Sequence, residues 1–178
     1  GFSLSTIVGL FDDPVNQAQE PLNVDIAVDG NHAIIGTIST GKSTFLRSIG
    51  INLILACIGA PSCATDFSCG IMNVYTCMRT KDNLEESISS FYAEILRIKL
   101  IMEACKKGEK IFFLLDEIFK GTNSQDRHTG ATVLIKQLVE VGAVGILSTH
   151  DLELCDLEND MIEMENYNFR EYYEDNKI

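Results

Sequence analysis

The sequence predicts an α/β fold in which a mainly parallel β-sheet is flanked by helices. Three apolar runs, at residues 32–35, 111–115 and 144–148, each end in polar residues. Uninterrupted apolar runs of this length are typical of parallel strands that are covered on both faces. Helical patterns lie between the runs, and this alternation of strands and helices indicates the α/β class.

Each segment between these strands has its own signal. A helix is expected over residues 44–57, directly after the first strand, and residues 70–78 are expected to be extended because β-branched and aromatic residues occur there. A second helix precedes Gly108, a residue type that often follows a helix C-terminus. A third helix is expected over residues 129–142. The second helix carries apolar residues at spacings of 4, 3 and 4, which core packing alone would explain: Phe91, Ile95, Ile98 and Met102.

The chain length and the net charge restrict the possible domain organisation and binding partners. The chain has 178 residues, 46% of them hydrophobic, which fits a single domain over residues 1–178. Because the chain begins at Gly1, we expect it to be a fragment of a longer protein. Its 14 basic and 26 acidic residues give a net charge of −12. A surface this acidic does not attract nucleic acid or anionic membrane, so any DNA would be held by other parts of the parent protein.

The cysteines and the hydropathy pattern point to an intracellular protein without a membrane span. The six cysteines include no C-x-x-C pair, and we expect reduced thiols, most of them in the core, rather than disulfides or a metal site. No apolar run approaches the ~18–20 residues that a membrane span needs. The sequence therefore predicts a cytoplasmic protein.

A phosphate-binding motif follows the first predicted strand. The residues GTISTGKST satisfy the pattern G-x-x-x-x-G-K-[ST], in which backbone N–H groups surround phosphates, the lysine reaches the outer phosphates and the hydroxyl binds Mg²⁺. The helix that follows presents its N-terminus to the same anion. The motif thus predicts a P-loop that binds ATP and Mg²⁺ through Gly36, Thr37, Ile38, Ser39, Thr40, Gly41, Lys42, Ser43 and Thr44.

Polar residues at the ends of the other two strands complete the predicted site. In an open α/β sheet, ligands bind outside the carboxyl ends of the strands. Asp116 is placed to hold Mg²⁺ together with Ser43, and Glu117 is placed to orient or deprotonate the attacking water. His150 ends a strand predicted to lie beside that of Asp116, so its imidazole could reach the γ-phosphate. A solvated strand end would also explain adjacent acidic residues, but the upstream P-loop favours catalysis.

Four sequence blocks, in order and at matching spacing, carry a family resemblance. They are GKSTFLRSIGINLILACIGAPSCA, DNLEESISSFYAE, LLDEIFKGTNSQDR and STHDLEL. Together they resemble the C-terminal ATPase domain of the MutS family of DNA mismatch repair proteins, and the resemblance runs from about Asp12 to the C-terminus. This family is similar to ABC-type ATPases, so the resemblance implies a P-loop fold of the ABC-ATPase type.

The resemblance also implies composite ATP sites between two protomers. Ser89, Ser90 and Phe91 fall on the family's Ser-Thr-Phe signature, which caps the γ-phosphate bound by the other subunit. Residues 122–124 fall on a loop that crosses the interface. The implied partners are a second copy of the chain or a MutS-like protein, with DNA held by other domains. ATP binding and hydrolysis would switch such a dimeric clamp on DNA.

The chain departs from the family pattern inside and around the P-loop. Residues 37–40 replace Pro-Asn-Met-Ser, Asp13-Pro14 stands in place of a His-Pro pair, and Asn168 stands in place of a histidine that stacks on adenine. These differences leave two alternatives open. One is a parent protein that acts in recombination or another DNA transaction, and the other is a nucleotide-binding clamp with little turnover.

Overall fold

The computed structural model describes residues 5–13, 18–25, 31–36, 41–64, 67–78, 87–160 and 164–169. Within these ranges, only the backbone is described for residues 5–32, 34–36, 87–90, 158, 160 and 169. Among the described helices, none is both long enough and apolar enough to cross a membrane. In chain order the elements are β1 Ser5–Asp13, β2 Ala18–Asp25, β3 Asn31–Gly36, α1 Lys42–Cys57, β4 Asn73–Cys77, α2 Ser87–Lys106, β5 Ile111–Asp116, α3 Ser124–Glu140, β6 Val144–Thr149, a 3₁₀ helix Leu152–Asp156, α4 Leu157–Asp160 and β7 Met164–Phe169.

Five parallel strands form the main sheet, in the order β4-β5-β6-β3-β7. The three strands predicted from apolar runs are confirmed as β3, β5 and β6, and β4 lies within the segment predicted to be extended. The predicted adjacency of β5 and β6 is also confirmed, with Asp116 opposite Ser148. The strands β1 and β2 form a separate antiparallel pair.

Helices cover both faces of the main sheet, which explains the uninterrupted apolar sequence of β5. Successive side chains of a strand point to opposite faces, and all six residues of β5 are buried. One face packs on α1 through a cluster that contains Leu46, Ile49, Leu53, Phe112, Leu114 and Ile146. The other face packs on α2 and α3 through a cluster that includes Ile101, Phe113, Leu115, Leu134, Leu138 and Leu147.

Hydrogen bonds at the helix ends refine the predicted boundaries. The expected end of α2 is confirmed, because Gly108 has a φ of +74° and its N–H donates to Cys105 O at 2.9 Å. The predicted start of α3 is wrong by five residues. This helix begins at Ser124, since the side chain of Asn123 caps it by accepting a hydrogen bond from Asp126 N–H at 2.9 Å.

Two expectations about the core are corrected. Only Cys77 of the six cysteines is buried, although all six are free thiols. Burial raises the pKa of the Cys77 thiol to about 11. In the predicted apolar stripe of α2, Phe91, Ile98 and Met102 pack against the core, whereas Ile95 is 39% exposed. Apolar side chains that are individually exposed are normal on a protein surface.

Candidate functional site

The carboxyl edge of the parallel sheet brings the predicted site residues together. β3 ends at Gly36, β5 at Asp116 and β6 at Thr149, and the α1 helix begins at Lys42 near the end of β3. Because parallel strands end at the same edge, Asp116, Glu117 and His150 lie beside the first turn of α1. The P-loop residues Thr37, Ile38, Ser39 and Thr40 lie outside the described part of the chain.

The N-terminus of α1 has the features of an anion site. Gly41 precedes the helix in the left-handed conformation, with φ 86° and ψ 2°, and as the N-cap residue it provides no side-chain cap to the first turn. The N–H groups of a first turn have no partner within the helix, and the helix dipole adds partial positive charge there. Ser43 is half-buried and Thr44 exposed in this turn. The turn can therefore donate hydrogen bonds to an anion that approaches the sheet edge.

Lys42 extends from this turn into the protein. Its side chain is only 4% exposed, and Nζ lies 3.8 Å from Glu117 Oε1. Burial lowers the pKa of Lys42, while the charge of Asp116 acts in the opposite direction. A partly desolvated ammonium interacts more strongly with an anion than one in water.

Asp116 is held in place by a residue that the sequence analysis did not identify. Ser148 Oγ donates a hydrogen bond of 2.5 Å to Asp116 Oδ1, and both side chains are buried. A carboxylate fixed by one hydrogen bond can still present its other oxygen to a hard cation. The sequence feature that could have identified Ser148 is its position as a polar residue at the end of an apolar strand.

Glu117 lies at the centre of the described charged groups. Its N–H donates to Ser148 O at 2.9 Å, and its backbone φ is 48°. Its carboxylate lies 3.8 Å from Lys42 Nζ and 3.5 Å from His150 Nδ1, and it forms an ion pair with Lys120. Lys120 was also missed, because a lysine in a turn carries no distinguishing pattern.

His150 is close to Glu117 but is not bonded to it. Its Nδ1 is buried and has no hydrogen-bond partner among the described residues. Burial lowers the pKa of His150, and the charges of Arg127, Lys120 and Lys42 lower it further, against an opposing effect of Asp151. The lowered pKa favours the neutral imidazole, and the buried Nδ1 is a polar atom that a ligand could satisfy.

The start of α2 lies against the turn that follows Glu117. Phe119 N–H donates to Glu94 Oε2 at 3.0 Å, and the rings of Phe91 and Phe119 are 6.2 Å apart. Phe119 has a φ of 61°, a left-handed conformation that costs a non-glycine residue roughly 1–2 kcal/mol. Ser89 and Ser90 lie in the first turn of α2, and their side chains are outside the description.

A second polar cluster lies beside this site, at the start of the 3₁₀ helix. Ligand atoms of His128, Asp151 and Glu153 lie within 4.8 Å of one another. Asp151 Oδ1 caps the helix by accepting from Glu153 N–H at 3.1 Å, and Asp151 Oδ2 lies 3.2 Å from His128 Nδ1. A helix cap and a hydrogen bond account for these contacts.

Comparison with known proteins identifies the family of this chain. The family model described as MutS domain V matches residues 32–178, which include every candidate residue from Gly36 to His150. The chain belongs to the MutS family. The matched region corresponds to domain V of that family.

Curated relatives of this MutS domain come from bacteria and from mammals. It is 32% identical over 134 residues to the DNA mismatch repair protein MutS of Thermotoga neapolitana. The matched region is 75% of this chain and 16% of that protein. The domain is 30% identical over 156 residues to MutS protein homolog 4 of Mus musculus (85% and 16%), and 29% identical over 165 residues to MutS of Bacillus cytotoxicus (92% and 18%). The chain thus spans less than a fifth of these relatives.

Proposed function

We propose that this MutS domain binds ATP with Mg²⁺ and hydrolyses it to ADP and phosphate, as a P-loop ATPase of the ABC type. The observation that carries the proposal is the position of Glu117, whose carboxylate lies within 3.8 Å of Lys42 Nζ and 3.5 Å of His150 Nδ1 at the N-terminus of α1. In the parent protein, this reaction would switch a dimeric clamp on DNA during mismatch repair.

The described residues fit a nucleotide with its metal ion. The uncapped first turn of α1 and the buried Lys42 suit a polyphosphate, which needs N–H donors and positive charge. Ser43 and Asp116 supply the oxygen ligands that Mg²⁺ prefers. When bound, Mg²⁺ would neutralise phosphate charge and fix the phosphate geometry for in-line attack. Asn168 is exposed on β7, and its small amide group would provide little stacking surface for the adenine base.

Glu117 and His150 would act on the attacking water and on the γ-phosphate. Once Lys42 pairs with phosphate, the Glu117 carboxylate can accept a proton from a water molecule. The neutral imidazole of His150 would donate a hydrogen bond to the γ-phosphate, or orient the water, without adding charge. The buried and unpartnered Nδ1 supports this role, because a buried polar atom without a partner costs free energy until a ligand satisfies it.

The complete site would require a second protomer, as the family resemblance implies. Ser89 and Ser90, at the N-terminus of α2, would close over the γ-phosphate bound by a second copy or a MutS-like partner. Asn123, the N-cap of α3, and Ser124, its first residue, are exposed, where such a partner could contact them. DNA would be bound by other domains of the parent protein.

A clamp with little turnover is the second candidate, and the ion pair of Lys120 with Glu117 favours it. A carboxylate engaged by a lysine is a weaker base than a free one, since the positive charge stabilises its ionised form. In that case ATP would close the dimer, and hydrolysis would be slow.

Replacing Glu117 by Gln separates the two candidates. The amide keeps the shape of the carboxylate but cannot accept the proton, so ATP affinity should persist while kcat falls at least about 100-fold, within the usual contribution of a general base. Steady-state phosphate release and isothermal titration calorimetry measure the two quantities. Glu153→Gln, at an exposed acidic residue, is the matched control and should leave both unchanged.

Lys42→Ala tests the binding half of the proposal. This variant removes the buried ammonium and should weaken ATP binding severely in calorimetry. Unchanged ATP affinity in Lys42→Ala would remove the P-loop assignment. Parental turnover in Glu117→Gln would assign water activation to another residue.

A further inference from the structure

The turn after Glu117 contains a strained residue that the proposed chemistry does not use. Phe119 adopts a positive φ of 61° although it has no polar side chain to stabilise this conformation locally. Its side chain is only 7% exposed, so its surroundings hold it. Backbone strain that the surrounding structure maintains occurs preferentially at functional sites.

Contacts with α2 hold Phe119 in this conformation. Glu94 Oε2 accepts a hydrogen bond from Phe119 N–H at 3.0 Å, and the Phe91 ring lies 6.2 Å from the Phe119 ring at an angle of 58°. Gly121 extends the contact, because a Cβ atom at that position would lie 3.1 Å from Phe91 Cβ. The first turns of α2 therefore touch the turn at two points, on either side of Lys120.

The same turn carries Glu117 at its other end. Only Ile118 separates Glu117 from Phe119, and Glu117 and Phe119 both have positive φ, so a change at Phe119 alters the direction in which Glu117 leaves β5. At that end, the N–H of Glu117 is tied to Ser148 O at 2.9 Å. The turn is thus fixed to β6 on one side and to α2 on the other.

We propose that Phe119 is a positioning residue that sets the Glu117 carboxylate according to the position of α2. This inference rests on the proposed ATPase function and specifies how that site is regulated. When the N-terminus of α2 moves, as it would on closing over a partner's phosphate, Phe91 and Glu94 carry Phe119 with them. Turnover then depends on the placement of α2, whereas nucleotide affinity does not.

The test compares Phe119→Gly with Phe119→Leu in phosphate release and nucleotide calorimetry. Glycine accepts a positive φ without strain but loses the ring, so kcat should fall at least about tenfold while KM for ATP and the calorimetric Kd stay within about twofold. Leucine keeps a buried apolar side chain and should retain at least a third of the parental kcat. A calorimetric stoichiometry equal to that of the parent shows that the lower rate does not come from misfolded protein.

A double-mutant cycle tests the dependence on α2. Phe91→Ala and Phe119→Gly break the same contact, so the double variant should be no slower than the slower single variant. Phe112→Leu is the control, because it alters a buried ring on the opposite face of the sheet and should change thermal stability without changing kcat. Losses in kcat that multiply independently would overturn the inference, as would parental kcat in Phe119→Gly.

The outcomes separate this inference from the proposed function. If the parental protein hydrolyses ATP in a Glu117-dependent reaction and Phe119→Gly is equally fast, only the positioning role fails. If the parental protein has no Glu117-dependent hydrolysis, the ATPase proposal itself fails.

Discussion

His150 shows how burial among cations keeps a histidine neutral. Its pKa is lowered from 6.5, first by burial and then by the charges of Arg127, Lys120 and Lys42. A protonated imidazole here would add a positive charge to a group of cations around Glu117. The neutral form can contribute a hydrogen bond without repelling Lys42.

The lowered pKa predicts a pH-dependent stability. The unfolded chain binds a proton at His150 near pH 6.5, whereas the folded chain does so only at lower pH. As pH falls through 6.5, the unfolded state therefore binds more protons than the folded state does. The contribution of His150 to the free energy of unfolding is present above that pH and is lost as the pH falls to the pKa of the folded state. Urea unfolding at pH 7.5 and 5.5 measures the effect, and the parental protein should lose more stability on acidification than His150→Gln.

The comparison with His150→Gln cancels the titration of every other group. A difference between the two proteins that is constant from pH 7.5 to 5.5, or that grows in the opposite direction, would contradict a depressed pKa. The glutamine is a suitable replacement because it is polar, close in size and uncharged at both pH values.

At the scale of secondary-structure elements, α1 packs closely on the sheet. Gly50 lies in the middle of this helix, and a Cβ atom there would lie 2.8 Å from Leu114 Cδ1, in a side chain that is fully buried. The absence of a side chain at this position lets the helix approach β5. That approach places the N-terminus of α1, and with it Lys42, beside Asp116 and Glu117.

This packing predicts opposite effects for two Gly→Ala substitutions in helices. Gly50→Ala should destabilise the protein by about 1–3 kcal/mol, because overpacking outweighs the better helix propensity of alanine. Gly130→Ala in α3 is the matched control, since its Cβ atom would meet the Phe119 ring at an ordinary 3.4 Å. That substitution should be neutral or stabilise by up to about 1 kcal/mol. Chemical denaturation measures both, and a stabilising Gly50→Ala would contradict the packing.

At the scale of the whole molecule, charge opposes self-association. The net charge of −12 gives two copies a mutual repulsion that salt screens. If the ATP site is shared between protomers, the domain should therefore dimerise weakly and turn over slowly at low ionic strength. ATP would favour the dimer, because its phosphates would join α1 of one protomer to α2 of the other.

Mixing two inactive variants tests the shared site. Lys42→Ala removes the phosphate contact of α1, and Ser90→Arg blocks the N-terminus of α2. In a mixed dimer, both substitutions lie in one site and the other site is intact. Phosphate release should therefore partly return, to at most about half of the parental rate per site. No recovery at concentrations where sedimentation velocity shows mixed dimers would contradict the shared-site model, and each variant mixed with itself is the control.

Local sequence was enough to predict β3, β5 and β6, with the residue types at their ends, and an extended segment at β4, but not β1, β2 or β7. The strand β5 is recognisable because both of its faces are covered, so Ile111 to Leu115 are all apolar, and its end is marked by two adjacent carboxylates. A parallel sheet then requires Asp116 and His150 to share an edge, which makes their proximity predictable without distances. The start of α3 was misplaced because a cap is a single hydrogen bond, that of Asn123, within a run of turn-forming residues.

The sequence by itself determined the α/β class, the family and the catalytic candidates, since each depends on residue types at fixed spacings along one segment. Tertiary structure alone decided that Ser148 holds Asp116, that Lys120 pairs with Glu117 and that Phe119 is fixed by α2. The first and last of these contacts join residues 25 or more positions apart. The ion pair is local in sequence, but it requires the left-handed turn that α2 and β6 hold in place. Ser148 reaches Asp116 through the pairing register of β5 and β6, whereas Phe119 reaches Glu94 through the packing of α2, and no local pattern encodes either contact.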